Sequence, residues 1–94
     1  MNPKLNSLGL AQVAGKLVSG EALVIKAIQR QEAKLVFLAN DCSPTTKKKI
    51  KNKSSYYDVP LVEEYTTMEI SQALGKKRSL VALTDQGFAK RFIH

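Results

Sequence analysis

The chain has 94 residues, 44% of them hydrophobic, which is enough for one folded core and too little for two. Fifteen Lys and Arg against eight Asp and Glu give a formal net charge of +7, which favours partners rich in phosphate. No apolar run approaches the roughly twenty residues of a membrane helix, and the N-terminus lacks the pattern of a signal peptide. We therefore expect a single domain over residues 1–94 that is cytoplasmic and has no membrane partner.

Residue types that bind metals or perform catalysis are scarce. Cys42 is the only cysteine and His94, the last residue, is the only histidine, so neither a structural zinc site nor a Ser/His/Asp triad is available. Glu63 and Glu64 are adjacent on a predicted strand edge, point to opposite faces and cannot flank one bond. Cys42 precedes a predicted helix, whose dipole lowers a thiol pKa, but no base or second cysteine accompanies it. We expect no enzyme activity, no cofactor and no metal.

Apolar periodicity and capping signals predict helices that alternate with short strands. Residues 33–39 are apolar almost throughout, which is typical of a strand covered on both faces, and we interpret them as the central strand. Helices are predicted over residues 3–16, 21–31, 45–53 and 67–74 and after the Thr84-Asp85 cap, and strands over residues 17–18, 33–39, 61–62 and 79–83. The alternation predicts an α/β fold, a three-layer α/β/α sandwich around a small mixed four-stranded sheet.

The same pattern predicts which helical residues face the core. Gly9 in the first helix costs about 1 kcal/mol relative to alanine, which indicates a close contact with a neighbouring element. The pair Ser19-Gly20 is predicted to cap the second helix. The expected inward residues are Leu5, Leu8, Ala11 and Ala14 or Gly15 in the first helix, Leu23, Val24, Ala27 and Ile28 in the second, and Phe88, Phe92 and Ile93 in the last.

Two basic clusters lie in the second half of the chain. The lysine helix, residues 45–53, has only Ile50 as a large apolar residue, so most of it is expected to be a solvated face that assists binding non-specifically. The basic loop, formed by Lys76, Lys77 and Arg78, lies between a helix and a strand and offers a fixed base for contacts to phosphates and base edges. Its charge also offsets the negative end of the preceding helix.

A third cluster surrounds the start of the second helix and consists of Lys16, Ser19, Gly20, Glu21 and Lys26. Backbone N–H groups at a helix N-terminus bind phosphate, and a glycine lets a nucleic-acid backbone approach closely. Each residue taken singly also has a simpler interpretation: Ser19-Gly20 as a plain helix cap, and Lys26 as an ordinary exposed charge.

Three segments of the chain resemble the core of the kink-turn-binding ribosomal-protein superfamily. They are residues 14–20 (AGKLVSG), 26–30 (KAIQR) and 33–41 (AKLVFLAND), followed in matching order by Val59-Pro60 and residues 74–78 (LGKKR). The ending TDQGFA, residues 84–89, is similar to the short bacterial members. The resemblance spans nearly the whole chain. It implies an α/β/α sandwich, no cofactor, and structured RNA, ribosomal or containing a kink-turn, as the partner.

The resemblance also implies an RNA site, which we expect at Lys16, Ser19, Gly20, Glu21, Lys26, Lys76, Lys77 and Arg78. In archaeal and eukaryotic members an Asn-Glu pair reads the sheared G·A pairs of a kink-turn, and those positions here are Ala22 and Leu23. Val18 and Ser19 stand where those members often have basic residues. Glu21 either accepts a hydrogen bond from a guanine edge or simply stabilises the helix dipole. We therefore expect RNA binding with reduced kink-turn selectivity.

Two functions from different classes remain open at this point. The first is an RNA-binding module, monomeric, that docks its second-helix N-terminus and basic loop into a sharply bent RNA. The second is a protein-interaction adaptor in translation or ribosome assembly that docks through Tyr56-Tyr57. A steep loss of affinity with salt indicates the first, because neutralised phosphates release counterions.

Overall fold

The computed structural model describes residues 5–92. In chain order its elements are α1 (Asn6–Val13), β1 (Leu17–Ser19), α2 (Glu21–Gln29), β2 (Leu35–Leu38), α3 (Pro44–Tyr56), β3 (Leu61–Val62), α4 (Thr67–Leu74), β4 (Leu80–Leu83) and α5 (Gln86–Ala89). The strand order is β1-β4-β2-β3, in which β4 is antiparallel to both β1 and β2, and β2 is parallel to β3. The predicted α/β/α sandwich with a mixed four-stranded sheet is confirmed.

The two inner strands divide the core into two layers. All residues of β2 and β4 are buried, as expected for strands covered on both faces. On one face, Leu35 and Phe37 pack with α1, α4 and α5. On the other, Val36 and Leu38 pack with α2 and α3. The strand predicted as central therefore shares the middle of the sheet with β4.

The first helix is shorter than predicted at its C-terminus. It ends at Val13 because Gly15 adopts φ +73°, and the Lys16 N–H then donates to the Ala11 carbonyl at 2.8 Å in a Schellman-type turn. Ala14 and Gly15 are exposed rather than inward. The predicted start at Asn2-Pro3 lies outside the described residues. The close contact predicted at Gly9 is confirmed, since a Cβ there would lie 2.9 Å from the Ala73 carbonyl oxygen of α4.

The second and third helices also differ from their predicted bounds. α2 ends two residues early, before Gln31 takes a left-handed conformation with φ 59°. Leu23 is 54% exposed, so its predicted inward position is wrong, while the other inward residues of α2 are buried. α3 continues to Tyr56 because Ser54, one turn after Ile50, is also buried and extends the packed face.

The fourth helix has the predicted bounds and is fixed at both ends. At its start, the Glu69 N–H donates to Thr66 Oγ1 at 3.1 Å and the Thr66 N–H donates to Glu69 Oε1 at 2.9 Å, which forms a capping box. Asp41 Oδ1 accepts from the backbone N–H and the hydroxyl of Thr67 at 2.9 and 2.7 Å, and these hydrogen bonds lower the pKa of Asp41. Gly75 ends the helix with φ +75°.

The last helix is capped by Asp85, whose Oδ2 accepts from the Phe88 N–H at 3.1 Å. Phe88 and Phe92 are half-buried against the core, and the Phe92 ring meets Phe37 edge-on at 4.7 Å between centroids. The predicted inward residue Ile93 lies outside the described range. The fully buried residue of this helix is Ala89, which the sequence pattern missed.

Replacing Leu35 with aspartate tests the two-sided burial of β2. Leu35 is 1% exposed, and burying an unpaired carboxylate costs several kcal/mol, comparable with a typical total stability of about 5–15 kcal/mol. We expect Leu35→Asp to abolish the cooperative unfolding transition measured by circular dichroism. The matched control is Lys34→Asp at the exposed neighbouring position, which should unfold cooperatively. A Leu35→Asp variant as stable as this control contradicts the two-sided burial.

Candidate nucleic-acid interface

The pairing of β1 with β4 brings two distant parts of the chain together. Ser19 lies opposite Val81 in the sheet, and the Gly20 N–H donates to the Leu80 carbonyl at 3.0 Å. Since β1 leads into α2 and the basic loop leads into β4, the start of α2 lies beside the basic loop. An open groove of about 340 Å³ forms there, lined by Gly20, Glu21, Thr46, Lys77, Arg78, Ser79 and Leu80.

Arg78 joins the two sides of this groove. Its Nε donates to the Ser19 hydroxyl at 3.0 Å, and its Nη1 donates to the Lys77 carbonyl at 2.7 Å. Its backbone is held by α4, because the Arg78 N–H donates to Ser71 Oγ at 3.0 Å and the Ser71 hydroxyl donates to the Arg78 carbonyl at 3.2 Å. A guanidinium has five N–H donors, so these contacts orient the group and leave donors for a ligand.

The start of α2 is an open backbone surface. Of the predicted Ser19-Gly20 cap, Gly20 is the N-cap, while the Ser19 hydroxyl makes no capping hydrogen bond and accepts from Arg78 instead. Gly20 has φ 92°, which favours glycine, and beyond its own chain neighbours no atom lies within 4 Å of the place where its Cβ would be. A glycine N-cap has no side chain to accept from the first-turn N–H groups, so these groups are available as donors for an anion.

Glu21 stands at the first turn of α2, where its charge suits the helix dipole. Its Oε1 lies 3.4 Å from Lys49 Nζ on α3, with the two side chains 44% and 45% exposed. An ion pair this exposed contributes at most about 1 kcal/mol. The pair therefore leaves the Glu21 carboxylate free to exchange Lys49 for another donor.

The remaining predicted site residues lie outside the groove. Lys76 is exposed in the basic loop. Lys16 is at the opposite end of β1, where its carbonyl accepts from the Thr84 N–H at 2.9 Å. Lys26 is exposed on α2, and since each helical residue advances about 1.5 Å it lies roughly 9 Å along the axis from Gly20. The structure thus brings together Ser19, Gly20, Glu21, Lys77 and Arg78, and places Lys16 and Lys26 away from them.

Sequence reasoning missed several residues around the groove. Thr46 lines it from the first turn of α3, and Ser71 holds the backbone of the basic loop from α4. The Ser43-Pro44 cap signal locates the start of α3, where the Thr46 N–H donates to Ser43 Oγ at 3.2 Å. That signal does not reveal that α3 packs beside α2. No sequence signal distinguishes Ser71 from any other helical serine.

The surroundings of Cys42 and Glu63, which were considered for catalysis, do not activate them. Burial raises the pKa of the Cys42 thiol, which is the opposite direction to the lowering that activates a nucleophilic cysteine. Glu63 follows the end of β3, and its Oε1 lies 3.3 Å from Lys51 Nζ. Within residues 5–92, no three His, Cys, Asp or Glu side chains are grouped to hold a metal ion. In the same range, no helix has the length and apolar character needed to span a membrane.

Comparison with known proteins shows which family the chain resembles. The model of the ribosomal protein L7Ae/L30e/S12e/Gadd45 family matches residues 5–93. The chain is 52% identical over 87 residues to the RNA-binding protein YlxQ of Enterococcus faecium, covering 93% of this chain and 84% of that protein. It is 48% identical over 87 residues to the protein of the same name from Bacillus subtilis (strain 168), covering 92% and 87%. These relatives confirm the expected similarity to short bacterial members.

A solved structure with little sequence similarity has the same fold. The Giardia lamblia 15.5kD RNA binding protein has the same fold with a TM-score of 0.81, covering 97% of this chain and 90% of that chain. The sequences are only 15% identical, so the likeness concerns the fold alone. It shows that the sheet order and layers persist while most side chains change.

Proposed function

The chain belongs to the ribosomal protein L7Ae/L30e/S12e/Gadd45 family, and from that premise we propose that it binds sharply bent, kink-turn-like RNA in the groove between α2 and the basic loop. The observation that carries the proposal is the hydrogen bond from Arg78 Nε to Ser19 Oγ, which fixes the basic loop beside the open N-terminus of α2. The curated relatives named as RNA-binding proteins support RNA as the class of partner.

The chemistry of the groove suits crowded phosphates. At a sharp bend two stretches of RNA backbone approach each other, and their repulsion has to be offset by cations and N–H donors. Lys76 and Lys77 supply mobile charges, Arg78 supplies an oriented guanidinium, and the first turn of α2 supplies backbone donors. Lys16 and Lys26 then contact flanking phosphates at the periphery rather than the bend itself.

Selectivity among bent RNAs depends on the residues after Gly20. Ala22 is exposed and Leu23 is 54% exposed, so both reach solvent near the groove without any side-chain hydrogen-bonding group. Glu21 is the acceptor available for a guanine edge, at the expense of its weak pair with Lys49. The protein is thus proposed to recognise mainly the shape and phosphate arrangement of the RNA.

The proposal covers the whole chain as one RNA-binding domain. We propose that the protein acts as a monomer in the cytoplasm and binds ribosomal or other structured RNA, with no cofactor and no catalytic step. Thr46 of α3 lines the groove and Lys49 of α3 pairs with Glu21, so the charge of the lysine helix adds to the field around the groove.

Binding to three RNAs at one salt concentration tests shape recognition: an intact kink-turn, a version with its G·A pairs replaced, and a continuous duplex. We expect the intact kink-turn to bind more tightly than the duplex. A base-edge contact is worth about 1–3 kcal/mol, so without the Asn-Glu pair we expect the gap between the intact kink-turn and the version with its G·A pairs replaced to stay below about tenfold. Equal affinity for all three RNAs contradicts the proposal. If the gap is large, Glu21→Ala tests whether Glu21 reads the pairs.

Neutralising the basic loop tests geometry against charge alone. We compare Lys76, Lys77 and Arg78 changed to Ala with a control in which Lys47, Lys48 and Lys51 of α3 are changed to Ala, so that each variant loses three charges. A charge-assisted hydrogen bond is worth about 1.5–3 kcal/mol, and the loop variant should therefore bind kinked RNA at least about tenfold more weakly than the control. Equal losses in a filter-binding titration would mean that the groove has no special role.

A further inference from the structure

A second groove lies on the outer surface of α3, towards its C-terminal end. It has a volume of about 520 Å³ and is lined by Lys49, Asn52, Lys53, Tyr56 and Tyr57. The volume falls within the range of about 300–1,000 Å³ that is usual for small-molecule sites. Its lining combines two cations, an amide and two aromatic rings, with no acidic side chain.

Tyr56 is the most unusual residue of this groove. Its side chain is 80% exposed although it is a large aromatic group at the end of a helix. The Tyr57 ring contacts it edge to face, with centroids 4.8 Å apart and planes at 75°. Tyr56 belongs to neither core cluster of the described residues, so packing of the core does not account for an aromatic ring at this position.

The groove and the candidate RNA interface are linked by one face of α3. Thr46, Lys49, Lys53 and Tyr56 are spaced by three or four residues and therefore share one face of α3. Thr46 lines the interface, and Lys49 both lines the outer groove and pairs with Glu21 of the interface. At about 1.5 Å per residue, this face extends roughly 15 Å from Thr46 to Tyr56.

We propose that this face of α3 binds a single-stranded RNA segment flanking the bend, with an unpaired base stacked on Tyr56 and its phosphates beside Lys49 and Lys53. This inference rests on the proposed function, since it places on α3 the RNA strand that continues from the bend bound at the interface. Stacking of bases on exposed aromatic rings between cations is the general mode of single-strand recognition. The Asn52 amide can both donate to and accept from a base edge.

The charges around Tyr56 indicate which side the RNA occupies. On its other side, Tyr56 borders a groove that Asp58 and Gln31 help to line, and a carboxylate there repels phosphates. The α3 side carries Lys49 and Lys53 instead. Charge complementarity therefore directs a polyanion along α3, from the interface to Tyr56.

The test uses a kink-turn hairpin with blunt ends and the same hairpin with a ten-uridine tail on either its 5′ or its 3′ end. Affinities are measured by fluorescence anisotropy at one salt concentration. Wild-type protein should bind one tailed hairpin more tightly than the blunt one. Stacking of one base is worth about 1–3 kcal/mol, so Tyr56→Ala should bind that tailed hairpin about tenfold more weakly. The blunt hairpin should bind both proteins equally.

Tyr56→Phe is the matched variant, because it keeps the ring and loses only the hydroxyl. It should retain the advantage of the tail, and the thermal midpoints of both variants should match the wild type because Tyr56 is exposed. No gain from either tail overturns the inference. An equal loss of blunt and tailed binding in Tyr56→Ala also overturns it, because Tyr56 would then contact the kinked part of the RNA and not the flanking strand.

The two proposals fail in different ways. If the tail has no effect but kinked RNA is still preferred over the duplex, only the proposed role of Tyr56 is overturned. A wild-type protein that does not prefer kinked RNA, but binds a free ten-uridine strand in a Tyr56-dependent manner, overturns the proposed function and retains the stacking surface.

Discussion

The antiparallel pairing of β1 with β4 is the contact on which the candidate interface depends. It places Ser19 opposite Val81 and so brings the start of α2 beside the basic loop, although the two segments are far apart in sequence. Arg78 then spans the junction through Ser19, and Ser71 fixes its backbone from α4. β1 therefore orients the guanidinium and α4 fixes the backbone of the same residue. Since ordering a flexible arginine during binding would oppose affinity, this arrangement orders the arginine of the candidate interface in advance of any ligand.

The third helix connects the core to the surface chemistry. Ile50 and Ser54 hold it against the sheet layer shared with α2, and that packing turns its opposite residues outward. Thr46 reaches the interface, Lys49 meets Glu21, and Tyr56 stands exposed at the end of the helix. The composition of this helix indicates only a solvated basic face. In the structure, two of its lysines lie on the face that runs from the candidate interface to Tyr56. Its length, three residues beyond the predicted end, is what carries Tyr56 onto that face.

Local signals in the sequence predicted most of the fold. The predicted bounds of β3, residues 61–62, and of α4, residues 67–74, match the structure. In the structure Thr66 caps α4 and Gly75 ends it. Errors arose where tertiary packing decides, as at Leu23, which the helical period turned inward and the structure leaves exposed. For the candidate interface, the chemistry of a helix N-terminus and of a basic loop, together with the resemblance, indicated Gly20 and residues 76–78. The partner of Ser19 was not predictable, because it depends on which strand lies next to β1.

The central claim is that RNA docks at the junction of α2 and the basic loop. Amide chemical shifts measured by nuclear magnetic resonance during titration with a kinked RNA test it most directly, because each residue reports separately. The account predicts the largest changes at Gly20 and Glu21, at residues 76–80, and at Thr46 on the neighbouring helix. Changes concentrated instead on α1, α4 and α5, with these amides unmoved, would contradict it.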